Sequence, residues 1–335
     1  MQNKQILFTS INTAELVEQP TTEPSAGQVL VKTAISTISC GTERANLTGG
    51  TNVSGVSPTF PRYPGYSSAG TVESVGEGVT HVKPGDRVVV YWGVHAAYNL
   101  VPAKQVVKIG YDNIAFPEAA FSFIATFPLA AIRKCRVELG ESAMVMGCGL
   151  LGQLAIRLLR AAGVCPIIAA DLTASRREEA LQSGADYAFD PSEKEFAGEV
   201  KKLTGGGVNV CIEVTGVGAG LDSALDCMAR FGRVALLGCT RDKNFCIDYY
   251  HKVHFPGIQL LGAHTAARPD VESHPGYYTH EDDIRAVLRL CALGRLKLAD
   301  MIREQHDPAD CREVYTRLAE DRNFPIVTQF IWERG

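Results

Sequence analysis

The chain has 335 residues, of which 46% are hydrophobic and 21% charged, with a formal net charge of −4. That length suggests two domains in an ordinary globular protein, and the lack of a basic excess argues against nucleic acid or an anionic membrane as partner. No apolar run reaches the roughly 18 residues of a membrane span. MQNKQILFTSI has no secretory h-region, and the ten cysteines form no CxxC pair. The expectation is therefore a cytoplasmic protein with reduced, mostly structural thiols.

Residues 1–115 read as short strands between turns. GQVLVKTAIST alternates apolar and polar positions, and AGTVESVGEGV and KPGDRVVVYWG are β runs punctuated by Gly, Pro and Asp. Such spacing predicts a compact β barrel or sandwich. FPEAAFSFIATFPLAAIRKCRV then reads as one or two buried helices. From Ser142 strands and helices alternate. AMVMG, PIIAAD, ADYAFD, VNVCIEVTG and GRVALLG read as strands, and LLGQLAIRLLRAAG, SRREEALQSG and LDSALDCMARFG as helices. Apolar strands separated by helices predict a doubly wound parallel sheet covered on both faces. HTAARPDVESHPGYYT is loop-rich, and two helical stretches and a strand, PIVTQFIW, close the chain.

Gly147-Cys148-Gly149-Leu150-Leu151-Gly152 matches G-x-G-x-x-G. The pattern alone is weak, but here it follows an apolar strand and opens a helix. Asp171 ends the next strand, 24 residues after Gly147. Gly147 permits the tight turn, Gly149 the approach of backbone to pyrophosphate, and Gly152 close helix–strand packing, with the helix N-terminus facing the phosphates. Asp171 would accept from both ribose hydroxyls and repel a 2′-phosphate, which favours NAD over NADP; Arg176 and Arg177 stand nearby as possible phosphate partners. Thr215-Gly216 and Gly238-Cys239 end two further strands and are expected at the nicotinamide half.

The order of these parts resembles the medium-chain dehydrogenase/reductase superfamily, which includes zinc alcohol and sorbitol dehydrogenases and zinc-free quinone reductases. The residues that carry the likeness are Cys40-Gly41-Thr42, GYSSAGTVESVG, KPGDRV and GCGLLG, and it spans essentially the whole chain. Gly65, Gly70 and Gly76 match the spacing of the family pattern G-H-E-x-x-G-x5-G. ISCGTER followed by YPGYSSAG is similar to the bacteriochlorophyllide dehydrogenase-like branch. The resemblance implies a Rossmann sheet in residues 121–263 and a GroES-like β-barrel catalytic domain in 1–120 and 264–335.

Zinc members of this family take a Cys from CG[ST], the His of GHE and a third ligand further on. Cys40 matches the first. Tyr66 and Ser67 replace the His and Glu, and the third-ligand stretch Phe121–Ala125 has no ligand-type residue. One ligand of three cannot build a catalytic zinc site, so no metal is expected; Cys40 with Glu43 and His95 remains a conceivable non-standard set. Without zinc a hydroxyl must polarise the carbonyl. Tyr66 is the candidate donor, Thr42 matches the family's proton-relay residue, and Cys40 completes the catalytic candidates. Arg44 is a candidate for an anionic substrate group, with Tyr91, Trp92 and His95 as substrate walls. The expected function is a zinc-independent, NAD(P)-dependent oxidoreductase that interconverts an alcohol and a carbonyl or reduces an activated double bond. The alternatives are a zinc enzyme with a non-standard site and a non-catalytic nucleotide-binding sensor. A homodimer is implied by resemblance, paired through GIQLLGA at 257–263.

Overall fold

The computed structural model describes residues 2–50, 59–240 and 244–333. It divides into two compact units, Met1–Ile124 with Ile284–Gly335, and Ala125–Asp283. The first unit opens with an antiparallel hairpin, β1 (Gln2–Ser10) and β2 (Thr13–Pro20). Asn12 turns it with φ +56°, a conformation that Asn tolerates better than most residues. Next come β3 (Gln28–Thr37), α1 (Cys40–Leu47), β4 (Ser67–Val75), β5 (Arg87–Tyr91), β6 (Tyr98–Pro102) and β7 (Val106–Lys108). β3 is buried along nearly its whole length because it pairs antiparallel with both β4 and β6. Valines 29, 31, 72, 88, 90 and 106 meet in one apolar cluster. The β-branched, half-alternating runs thus become strands because one face has a core to enter.

After α2 (Phe116–Ala119) and α3 (Ser122–Lys134), the second unit builds its sheet. Its elements in chain order are β8 (Ala143–Met146), α4 (Leu150–Ala161), β9 (Ile167–Ala170), α5 (Ala174–Gln182), β10 (Tyr187–Phe189), α6 (Phe196–Thr204), β11 (Val208–Glu213), α7 (Gly218–Asp226), β12 (Met228–Leu236) and β13 (Gln259–Gly262). The strands lie parallel in the order β10-β9-β8-β11-β12-β13. This is the doubly wound order, with the reversal of winding between β8 and β11. β8 and β9 are buried at every position, and α4 turns Leu154, Ala155, Ile156, Leu158 and Leu159 inward.

The chain then runs through α8 (His280–Ala292), β14 (Glu304–His306), α9 (Cys311–Glu320) and β15 (Thr328–Ile331). β15 pairs antiparallel with β3 and parallel with β14, completing a seven-stranded sheet. α9 buries Val314, Tyr315 and Leu318 against Ile6, Phe8, Leu47 and Phe330. Each such side chain removed from water contributes about 1.5–3 kcal/mol.

One expectation needs correction. LDSALDCMARFG is not one helix: α7 stops at Asp226, and β12 begins at Met228, with a register shift opposite Val208–Val210 and Phe231 at φ +63°. The chain passes from one compact unit to the other at Asp283/Ile284. Lys134 Nζ donates to the carbonyls of Gly262 (2.7 Å) and Ala267 (2.5 Å). Asp283 accepts from Arg133 Nε (2.8 Å) and Arg268 Nη1 (3.2 Å), and Arg133 lies 3.8 Å over the Tyr278 ring. These charge-assisted bonds hold residues 264–283 to the sheet unit through the second half of α3. Among the described residues no helix is long and apolar enough to cross a membrane.

Candidate functional site

The glycine motif lies where the fold places a ligand, at the carboxyl ends of β8, β9, β11 and β12. Gly147 turns the chain at φ +97°, and a β-carbon at Gly152 would stand 2.0 Å from the Gly147 carbonyl oxygen. Only glycine at both positions lets α4 start this close to β8. A β-carbon at Gly149 meets no atom within 4 Å, so this exposed N-cap of α4 offers backbone to open space. Leu150 and Leu151 begin the helix, half-buried. Cys148 faces inward instead. Burial pushes its thiol up to about 12, and its N–H donates to Asp171 Oδ2 at 2.8 Å. Asp171 Oδ1 accepts from the Thr173 N–H at 2.8 Å. Each carboxylate oxygen thus holds one backbone donor and keeps further acceptor capacity.

Arg176 pairs with Glu179 at 3.1 Å. Arg177 donates to the carbonyls of Asp171 and Leu172 and to Asp190, so it braces the strand end. Thr215-Gly216 and Gly238-Cys239 come together: a β-carbon at Gly238 would lie 2.3 Å from the Gly216 nitrogen, and one at Gly147 3.0 Å from Thr215 Cγ2. Cys239 is exposed on that turn.

Two supports went unnoticed in the sequence. Gln153, wholly buried in α4, donates to the carbonyls of Cys148 (3.0 Å) and Arg176 (3.2 Å). Glu213, 3% exposed at the end of β11, accepts from Thr215 N–H (2.8 Å), Thr215 Oγ1 and Gly216 N–H (3.2 Å). Burial raises its carboxyl, and these donors oppose the rise. In both cases the available signal was a lone polar residue inside an apolar run, LLGQLAI and VNVCIEV.

The other candidates gather in the first unit. Tyr66, half-buried, places its hydroxyl 2.5 Å from Ser39 Oγ. Burial, aided by the Glu43 carboxylate, holds the phenol well above its usual range, so Tyr66 is a neutral O–H. Its ring packs 5.5 Å from Trp92 and 5.8 Å edge-on from Phe123. Phe123 comes from the stretch in which a zinc member carries its third ligand. Trp92 is 42% exposed and held at φ +58°, rare for a bulky residue, with its N–H bonded to the Tyr66 carbonyl at 2.9 Å. Tyr91 packs on Phe123 and donates to the Lys104 carbonyl. Thr42 is exposed on α1. Cys40 Sγ rests 3.5 Å from the Pro325 carbonyl oxygen.

Two expected substrate residues have other work. Arg44 donates through Nε to the Leu318 carbonyl (2.7 Å) and through Nη2 to that of Asp321 (2.6 Å), capping the end of α9. His95 has no exposed surface; its Nδ1 lies 2.7 Å from Ser36 Oγ and its Nε2 3.1 Å from Glu43 Oε2. It is therefore part of the core rather than a wall. Glu43 and His95 meet, as the non-standard metal set required, but as hydrogen-bond partners. Among the described residues no three His, Cys, Asp or Glu side chains are grouped to hold a metal ion.

Comparison with known proteins fits both units. The alcohol dehydrogenase GroES-like domain family matches residues 25–111, and the zinc-binding dehydrogenase family residues 151–274. The (R,R)-butanediol dehydrogenase of Bacillus subtilis is 32% identical over 257 residues, 67% of this chain and 73% of that protein. The chain belongs to the medium-chain, zinc-type alcohol dehydrogenase superfamily. The L-threonine 3-dehydrogenase of Pyrococcus abyssi is 31% identical over 74% of this chain and 79% of its own. An alcohol dehydrogenase from Escherichia coli, solved with NADH, shares the fold at a TM-score of 0.84, with 21% identity over 98% of this chain and 99% of that one. The chain is thus an oxidoreductase of the medium-chain type.

Proposed function

We propose that this medium-chain oxidoreductase interconverts a secondary alcohol and its ketone, prefers NAD(H) to NADP(H), and works without catalytic zinc. The observation that carries this reading is the Tyr66 phenol. It stands at the position of the family's zinc-ligating His and is hydrogen-bonded to Ser39. No metal-binding group of three is found among the described residues. The relatives named for butanediol and L-threonine both have secondary alcohols in those names, which supports the substrate class. Asp171, with acceptor capacity left on both oxygens, supports NAD.

A bound nicotinamide supplies the hydride. Tyr66 holds, on Oη, the proton that the carbonyl oxygen takes up, and its O–H polarises that oxygen beforehand. Two hydroxyls 2.5 Å apart exchange roles: as Tyr66 turns its O–H to the substrate, Ser39 turns its own toward Tyr66 Oη. Thr42, exposed on α1, returns a proton from solvent. Trp92 and Phe123 frame the donor with apolar surface. A homodimer pairs β13, an edge strand with Gln259, Leu260 and Gly262 exposed, with its copy.

The test measures zinc by elemental analysis beside NADH-dependent reduction of acetoin, the ketone of butanediol. Substoichiometric zinc and turnover that survives chelation are expected. Stoichiometric zinc lost together with turnover would instead establish the non-standard site, for which the Glu43–His95 contact is the structural argument.

A further inference from the structure

We propose that Glu43 and His95 are positioning residues for Tyr66, acting through Ser39; this rests on the reading of Tyr66 as proton donor. Ser39 stands at the N-cap of α1, where a serine hydroxyl ordinarily accepts from the first-turn N–H groups. Here it makes no capping bond. Its hydroxyl meets Tyr66 instead, at 2.5 Å. Ser39 is fixed from behind, because its backbone N–H donates to Glu43 Oε1 at 2.8 Å.

Glu43 is 1% exposed and takes two more donors on Oε2: the Tyr315 hydroxyl at 2.5 Å and His95 Nε2 at 3.1 Å. Behind His95, Ser36 Oγ lies 2.7 Å from Nδ1 and accepts from Trp332 Nε1 at 2.8 Å. An indole N–H can only donate. The Glu43 carboxylate can only accept, so His95 carries a proton on Nε2, aimed at Glu43; the neutral imidazole then accepts the Ser36 O–H at Nδ1, while a lone pair of Ser36 takes the Trp332 N–H. The hydrogen bonds run one way, from Trp332 through Ser36 and His95 to the carboxylate. A buried network in which every member is satisfied fixes its geometry, and a half-satisfied one is costly. Apolar residues of similar volume would serve folding as well or better, so the line of polar groups points to orientation of what lies at its end, Ser39 and Tyr66.

Glu43→Gln removes the charge at nearly constant shape, and Ser39→Ala removes the link if that variant does not fold. The first readout is nuclear magnetic resonance of protein labelled with ¹³Cζ-tyrosine, the Tyr66 signal being assigned by its loss in Tyr66→Phe. Either variant is expected to move that signal and leave that of Tyr187, on the other unit, in place. The second is acetoin reduction. We expect kcat to fall roughly 10-fold or more while the KM for NADH stays unchanged, and the double variant with Tyr66→Phe to be no slower than Tyr66→Phe alone. An unmoved Tyr66 signal in a folded variant, or losses that add to that of Tyr66→Phe, would overturn the proposal. If Tyr66→Phe turns over acetoin at the wild-type rate, the donor role is lost, and the resonance measurement still decides whether Glu43 positions Tyr66.

Discussion

Gly65 brings the backbone against the ring of His95. A β-carbon there would lie 2.7 Å from the His95 nitrogen and 2.8 Å from its ring carbons, at φ +90°. Gly65→Ala should therefore cost about 2–3 kcal/mol, from backbone strain and displacement of a buried ring, and urea unfolding would show it as a lower midpoint. Its neighbour Tyr66 carries chemistry. Tyr66→Phe keeps the ring between Trp92 and Phe123 and deletes the O–H, and kcat for acetoin should fall about 10²–10³-fold with NADH affinity unchanged. The position of Tyr66 was legible in the sequence because it interrupts a glycine frame of known spacing. The place of His95 was not. VVVYWGVH does not say which way a side chain after a turn points, and only the fold turns this one into the core with Ser36 and Glu43.

Arg44 shows the same limit at the level of elements. Its residue type suits an anion, but α1 lies where its guanidinium meets the carbonyls at the end of α9, 274 residues away in sequence. Arg44→Gln should lower stability by about 1–2 kcal/mol, as a lost charge-assisted cap does, and leave the KM for acetoin unchanged. A raised KM with unaltered stability would return Arg44 to the substrate. β8, β9 and β11 with α4 and α5 were legible because each run is bounded by glycine or a charged turn, whereas α6 (Phe196–Thr204) was not read. β12 was misread at its start because Met228-Ala229-Arg230-Phe231 continues an apolar helix pattern, and only pairing beside β11 draws it into the sheet. The hairpin β1–β2 lies in the stretch read as strands but was not singled out, because half-exposed, charged strands such as TAELVEQP carry little period-two signal.

At the scale of the molecule, the segment between β13 and α8 was the hardest to read. Residues 264–283 have the composition of a loop, and their attachment depends on ion pairs that sequence does not reveal. His280 belongs to that attached segment. Burial first, and the Arg268 charge second, depress its imidazole to about 3 from an ordinary 6.5. The unfolded chain takes up this proton near pH 6.5 and the folded one only near 3, so the stability from this source is complete above 6.5 and declines as pH falls toward 3. Unfolding midpoints at about pH 7 and about pH 4.5 should differ less in His280→Gln than in the wild type. The thiols offer a different use of the same architecture. Burial lifts Cys135, Cys148 and Cys227 to about 12, while Cys165, Cys239 and Cys246 are exposed. Since the thiolate is what reacts with a maleimide, the native protein has its own labelling reporter. Cys239, on the turn beside Gly216, should be shielded by NADH while Cys165 is not, so mass spectrometry of the labelled protein can report dinucleotide occupancy before any substrate is found.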